Sequence, residues 1–417
     1  MTLGMETLST MWQPLADGID ILMRPDDSND IVALIAFTPL GSSQESRTDA
    51  GLVAMTNRML SRGTKRFTSA QLAEQIDSLG ISLAYSSTED YSYPHVITTS
   101  DTLPQAVALL SEALFEPSFE PEEIEKERQT TLAAIRRGDD DLLSLTLKRF
   151  YQELYPNHGY GLPHSGLVES IGEITREQIV SCHEELVRGR YRIVAVGNFD
   201  PAALRELLQR EFVARYPGGA ADGSGQEPGA PIAAEAHRSA LSRASEQSYL
   251  VAGFGALAPS DSRYMAARLL NSVLGEGMSS RLFQALREEK GLAYATGSSY
   301  HGLKLAGQLF GYIGTKPESL DLAREGMLAE FARIRTELVP EDELLRSKNY
   351  MIGKFLIDHQ KNFRRAFYLG HFDQMGIGCE MDERYPEMIS AVTAEQVRDV
   401  AAHLLTEPVI VELKPNS

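Results

Sequence analysis

Residues 171–179 read IGEITREQI, and residues 389–397 read ISAVTAEQV. The offset is 218 residues (171 to 389), and the same offset carries IVALIAFT at 31–38 onto YLVAGFGA at 249–256. A chain that repeats itself once at so long a period is two copies of one domain, not one large core. In the first pair, Thr175 and Thr393 each precede a helical pattern. Gln178 and Gln396 follow three residues later, which is the reciprocal hydrogen-bonding box that opens a helix. Each of these helices leads into an apolar strand, Tyr191–Gly197 (YRIVAVG) and Pro408–Leu413 (PVIVEL).

Outward from these anchors, each half reads as a strand, a helical stretch, further strands, a long helix, more helices and a closing strand. Helical patterns include Ser69 to Leu79, Pro121 to Arg137, Ser144 to Leu154, Ser280 to Glu289, Leu320 to Thr336 and Glu341 to Asp358. This order predicts an α+β fold: two homologous domains, each a mostly antiparallel sheet with helices packed on one side. Between them lies PGGAADGSGQEPGAP at 217–231, without a large apolar residue. Such a stretch cannot bury enough surface to offset its ordering entropy. The reading is therefore an N-terminal domain 1–216, a linker 217–236 and a C-terminal domain 237–417.

Composition narrows the function. The chain of 417 residues carries a formal charge of −18, a surface that repels phosphate backbones and argues against nucleic-acid binding. The two cysteines, Cys182 and Cys379, are too few for a disulfide framework and are expected to be small buried side chains. The longest apolar stretches, such as Ile31 to Phe37, fall far short of a membrane span. Met1 to Gln13 has no basic start followed by an apolar run. The expected location is the bacterial cytoplasm, or the periplasm if a signal has been trimmed.

Residues 51–64 read GLVAMTNRMLSRGT. This segment resembles the zinc-binding helix of the pitrilysin/insulinase-like peptidases, the family that includes mitochondrial processing peptidase. There the pattern is Gly-Leu-x-His-x-x-Glu-His-Met-Leu-x-Lys/Arg-Gly-Thr. Gly51, Leu52, Met59, Leu60, Arg62, Gly63 and Thr64 match the frame. Residues at i, i+3 and i+4 share a helix face, so two histidines there can hold one zinc ion beside a glutamate base. In this chain the three positions are Ala54, Asn57 and Arg58. Alanine has no donor atom, asparagine is not a base, and arginine is a permanent cation. The resemblance places the third ligand, a glutamate in the family, on Ala134 within EKERQTTLAAI (125–135), where Glu127 remains a carboxylate. It therefore implies that this chain has no catalytic residue and no metal of its own.

Residues 274–298, LGEGMSSRLFQALREEKGLAYATGS, resemble the family's second-domain motif. Gly275 and Gly277 are expected to form a turn, Ser279 or Ser280 to cap a helix, Lys290 and Gly291 to end it, and Leu292 to Ser299 to run on as a strand. Taken alone, Arg287 reads as a solvated helix residue and Tyr294 as a half-buried strand aromatic. The resemblance implies more: an arginine and a tyrosine seven residues apart reach the substrate held at the zinc. It also places the substrate-pairing edge on the strand around Leu83, Ala84, Tyr85 and Ser86, though an ordinary sheet edge reads equally well there. The resemblance extends from about Pro14 to Pro415. It implies a heterodimer in which a zinc-bearing homologous subunit cleaves peptides or unfolded segments and this inactive subunit supplies Arg287 and Tyr294. One alternative is a structural subunit like the core proteins of the respiratory cytochrome bc complex. The other is a self-sufficient zinc peptidase with unusual ligands, drawn from histidines such as His158 and His164 in HGYGLPH, which otherwise read as solvated loop side chains.

Overall fold

The run IVALIAF at 31–37 shows no alternation of apolar and polar residues. A strand with that pattern must be buried on both faces. The structure, a computed structural model that describes residues 11–218, 229 and 231–416, puts it at the heart of the first of two sheets. The strands are β1 (Gln13–Ala16), β2 (Ile19–Pro25), β3 (Ile31–Phe37), β4 (Ser82–Ser87), β5 (Ser92–Thr99) and β6 (Tyr191–Gly197), then β7 (His237–Arg243), β8 (Ser248–Ala256), β9 (Ala295–Leu303), β10 (Ala306–Thr315) and β11 (Val409–Pro415). Around them lie helices α1 (Leu52–Met59), α2 (Leu103–Phe115), α3 (Pro121–Asp140), α4 (Leu142–Leu154), α5 (Arg176–Arg188), α6 (Tyr264–Gly275), α7 (Leu320–Thr336), α8 (Glu341–Asp358), α9 (Asn362–Gln374) and α10 (Ala394–Leu404).

The duplication is confirmed in topology. The first sheet runs β1-β2-β6-β3-β5-β4 and the second β7-β11-β8-β10-β9. Apart from the added β1, one order is a copy of the other. Each sheet is antiparallel except for a single parallel pair, which sets Ile19 beside Tyr191 in one and His237 beside Val409 in the other. Both expected helix starts form: Thr175 accepts from the Gln178 N–H and Thr393 from the Gln396 N–H, with each glutamine side chain reaching back.

On one face of the first sheet, Val32, Leu34, Ala36, Tyr191, Ile193 and Ala195 pack with Val53 and Met55 of α1, Leu110 of α2 and Ile179 and Leu186 of α5. That is the one-sided helical layer expected from the sequence. The other face, with Leu22, Ala33, Ile35, Phe37, Val194 and Val196, is closed by Ala366 and Leu369 of α9. The second sheet repeats this. Phe254 meets Phe331 of α7 on one face, with ring centroids 5.5 Å apart, while Val251, Phe310, Val409 and Val411 meet Phe150 and Leu154 of α4 on the other.

These two closing helices alter the domain boundaries. One compact unit holds the residues up to Ile135, those from His164 to the linker, and Asp358–Asp382; the other holds Arg136–Pro163, the chain after the linker to Ile357, and Glu383 onward. The sequence division at 217–236 separates the two sheets, but it assigns α4 and α9 to the wrong units. Residues 219–228 and 230 of the expected linker lie outside the described residues.

The seat of α9 depends on one glycine. A Cβ on Gly370 would lie 2.0 Å from the Phe37 ring, against a side chain that is fully buried. Glycine to alanine in an exposed helix interior stabilises by about 1 kcal/mol. At Gly353 of α8, where nothing lies within 4 Å, that gain is expected. Gly370→Ala should instead lower stability by about 1–3 kcal/mol through overpacking. Thermal unfolding of the two variants beside the parent checks this, and an equal gain at both sites would show that α9 does not bear on Phe37.

Candidate functional site

Helix α1 begins at Gly51, whose φ of 89° and whose Cα–Cα approach to Gly166 leave no room for a side chain: a Cβ would sit 2.7 Å from that neighbour. Glu45 supplies the N-terminal cap from outside the helix. Its two oxygens accept the N–H groups of Gly51 and Val53, both at 2.7 Å. Burial outweighs these bonds and pushes the Glu45 carboxyl up to about 8.

The three motif positions of α1 are all committed to the protein itself. Ala54 is buried. Asn57, 1% exposed, donates from Nδ2 to the Val53 carbonyl and to Ser92 Oγ, each at 3.0 Å. Ser92 passes its own proton to the Leu40 carbonyl at 2.7 Å. This chain fixes the amide orientation, because a reversed amide would set oxygen against the Val53 oxygen. Asn57 Oδ1 is left buried with no partner among the described residues. Arg58 donates through Nε to Glu127 Oε1 at 2.8 Å and through Nη2 to Thr131 at 3.2 Å. Arg62, one turn on, takes the other Glu127 oxygen at 2.6 and 3.1 Å. One buried carboxylate of α3 therefore bridges two guanidiniums of the α1 region, each about one-third exposed (36% and 35%). Ala134 follows Glu127 and Thr131 on the same face of α3 and is exposed.

Strand β4 is the outer strand of its sheet, paired only with β5. Leu83 and Tyr85 turn towards the core, with the Tyr85 hydroxyl donating to the Leu110 carbonyl at 3.1 Å, while Ala84 and Ser86 stay half-buried. His164 is not a solvated loop residue. Its Nδ1 lies 3.1 Å from Ser42 Oγ and its Nε2 3.2 Å from Ser87 Oγ, at the end of β4. Burial holds this ring below its ordinary pKa, against the opposing charge of Glu89 and with that of Arg58.

The second-half motif forms as its residues suggest, with two differences. Gly277 takes a φ of 87°. The helix after it has wide turns over Phe283–Glu289, and Ser280 donates back to the Gly277 carbonyl instead of capping. Gly291, at φ 63°, ends the helix. The strand starts at Ala295, later than expected, although the Tyr294 N–H already bonds the Gly314 carbonyl at 2.9 Å. Arg287 and Tyr294 meet. The guanidinium lies over the Phe283 ring at 5.0 Å and donates at 3.5 Å to the Tyr294 carbonyl. Arg287 is exposed and has no carboxylate partner among the described residues, and Tyr294 is 51% exposed.

The model of the insulinase family, peptidase family M16, matches residues 21–165, and that of the M16 inactive domain matches residues 173–351. The chain belongs to the M16 peptidase family. An "uncharacterized zinc protease" of Rickettsia felis is 29% identical over 83% of each chain, and one of Bacillus subtilis is 25% identical over 94% of each. A crystal structure described as a peptidase M16 inactive domain, from Pseudomonas fluorescens, superposes with a TM-score of 0.89 over 98% of both chains at 22% identity, which shows the shared fold.

Against the M16 zinc pattern, the residues of this chain do not suit a dication. Ala54 and Ala134 offer no donor atom, the Asn57 nitrogen faces two acceptors, and Arg58 brings a positive charge. Among the described residues no group of three His, Cys, Asp or Glu could hold a metal ion. Sequence reasoning noted Glu127 without its role. It missed Glu45, Ser92 and Thr131, which reach α1 through the fold and carry no local signal. Arg62 was visible, but only as a match to the frame.

Removing Glu127 would leave two guanidiniums facing each other. Glu127→Ala should cost about 3 kcal/mol, the lower end for a broken buried pair because both arginines are partly hydrated. Arg58→Ala in the same chain should add less than its separate cost, as denaturant unfolding of the double-mutant cycle would show. Additive losses would mean the ion pair is not a unit. For His164, a folded pKa below the unfolded 6.5 means the unfolded chain binds the extra proton first. Its contribution is complete above pH 6.5 and is lost as pH falls. His164→Gln should therefore remove one part of the loss in melting temperature that the histidines cause below pH 6.5, a loss shared by His95, His158 and His183, which are shifted the same way, and opposed by Glu45, whose raised carboxyl adds stability as pH falls.

Proposed function

We propose that this M16 chain is the metal-free subunit of a two-chain zinc peptidase, inactive alone, whose Arg287 and Tyr294 complete the active site of a zinc-bearing homologous partner. One observation carries the reading: the two halves have diverged in opposite ways. In the first, every metal position is filled by a residue without ligand chemistry, and Asn57 and Arg58 are already spent on internal bonds. In the second, the Arg287 guanidinium and Tyr294 phenol stand exposed, oriented by Phe283 and the β10 backbone.

A guanidinium donates only and a phenol hydroxyl can donate, which suits both to a peptide carbonyl and to the negative charge that grows on it during attack. The partner's zinc would supply the activated water. This chain's part is to hold the peptide and stabilise its carbonyl oxygen. The outer edge of β4 offers backbone groups for an extended segment, and Ala84 and Ser86 are the side chains on its less buried face.

The test is reconstitution. Purified alone, the chain should hold no stoichiometric zinc and cleave no unfolded test protein. Mixed with an M16 chain that keeps His-x-x-Glu-His, it should raise cleavage. Arg287→Ala or Tyr294→Phe should then reduce turnover by about 100-fold or more, the scale of one lost oxyanion donor. Stoichiometric zinc removed together with activity by chelation would overturn the proposal. So would recovery of the chain in a membrane complex without a peptidase partner, which would favour the assembly-subunit reading.

A further inference from the structure

Helix α6 leads into the second-half motif, and one of its faces carries a cation with no ion pair among the described residues. Tyr264, Arg268 and Ser272 follow one another at intervals of four residues, so they stand on that face a turn apart. Arg268 Nε is buried and has no hydrogen-bond partner among the described residues. Neither has the hydroxyl of Ser272, a residue 2% exposed. A serine inside a helix commonly returns its proton to the carbonyl one turn back, and Ser272 does not. Helical side chains lean towards the N-terminus, which directs the Ser272 hydroxyl to the turn that Arg268 occupies.

Among the described residues, the groups nearest the Arg268 guanidinium supply no paired negative charge. They are the phenols of Tyr264 and Tyr385, both buried, and the Glu276 carboxylate. The two phenol rings are held by neighbours, Tyr264 by Tyr300 at 5.7 Å and Tyr385 by Phe355 at 4.4 Å between centroids. Glu276 is tied to Asn271 Nδ2 at 2.7 Å and forms no ion pair with Arg268. Arg281, in the same unit, is the contrast: Glu343 receives its Nε and Nη2 at 2.8 and 2.9 Å, and its side chain is 5% exposed. A guanidinium drawn out of water without such a partner is costly, and buried charges are as a rule paired. Part of the Arg268 side chain still reaches solvent, which gives a small ion a way in.

We infer that Arg268 and Ser272 hold a small monovalent anion of the chloride kind, bound by the Nε–H and the hydroxyl as the counter-charge that the described residues do not supply. A spherical ion accepts from two donors on one helix face without directional lone pairs of its own. A water molecule accepts the same bonds but leaves the cation unbalanced. Occupancy stabilises α6 where it runs into the turn at Gly277, and this holds whether or not Arg287 and Tyr294 meet a substrate.

The test unfolds the full chain by heat in mixtures of sodium chloride and sodium gluconate at constant ionic strength. Exchanging gluconate, too large for the site, for chloride should raise the melting temperature by roughly 2–5 °C for each tenfold rise above the dissociation constant. Ser272→Ala should move that dependence to about tenfold higher chloride or more, the scale of one hydrogen bond to a charged group. Arg268→Met, which keeps bulk without charge, should abolish the dependence and be at least as stable as the parent in gluconate alone. Bromide soaked into crystals should give an anomalous peak between Arg268 Nε and Ser272 Oγ. A melting temperature indifferent to chloride, or one that rises equally in the parent and in Arg268→Met, overturns the site, as does bromide bound only elsewhere. Should Arg268→Met not fold, the Ser272→Ala shift and the bromide position decide.

Discussion

Two-faced burial is the constraint on which this molecule is built. The central strands of both sheets are apolar on either side, so a single layer of helices leaves half of each sheet in water. The hydrophobic cost of that exposure, about 25 cal/mol for each Å² of apolar surface, is too large for a fold of ordinary stability. The chain meets the constraint by an exchange: α9 closes the sheet of the first half, and α4 that of the second. Each copy of the duplicated domain is thus incomplete without a helix encoded in the other. The fit is close enough at Gly370 that a methyl group has no space beside Phe37.

On that frame, the position of the family's metal is held by ordinary electrostatics. Zinc ligands on two helices tie those helices together through the ion. Here the Glu127 carboxylate performs the same mechanical task by bridging Arg58 and Arg62. The pair ties α1 and the turn after it to α3. The Asn57 amide is tied to Val53 and Ser92 on the buried side of α1.

The second half presents its motif differently. Its motif combines a buried ion pair, a left-handed glycine and a helix stop with an exposed guanidinium, which rests on Phe283 and the Tyr294 carbonyl, and a half-exposed phenol.

The sequence by itself determined the duplication, the α+β class and the two capped helices, because those depend on local period and residue chemistry; the three ligand positions and the base position were read from the resemblance to the family. IVALIAF also carried the demand for a second cover in its lack of alternation. The aromatic helix Asn362–Gln374 that answers it went unread, since it is apolar on several sides and lacks an amphipathic stripe. Tertiary structure alone decided which sheet each exchanged helix covers. It also decided that Arg58 and Arg62 share Glu127 and that His164 sits between two serines. Each of these joins residues far apart in the chain, and contacts of that kind are fixed by how faces pack, which local sequence does not encode.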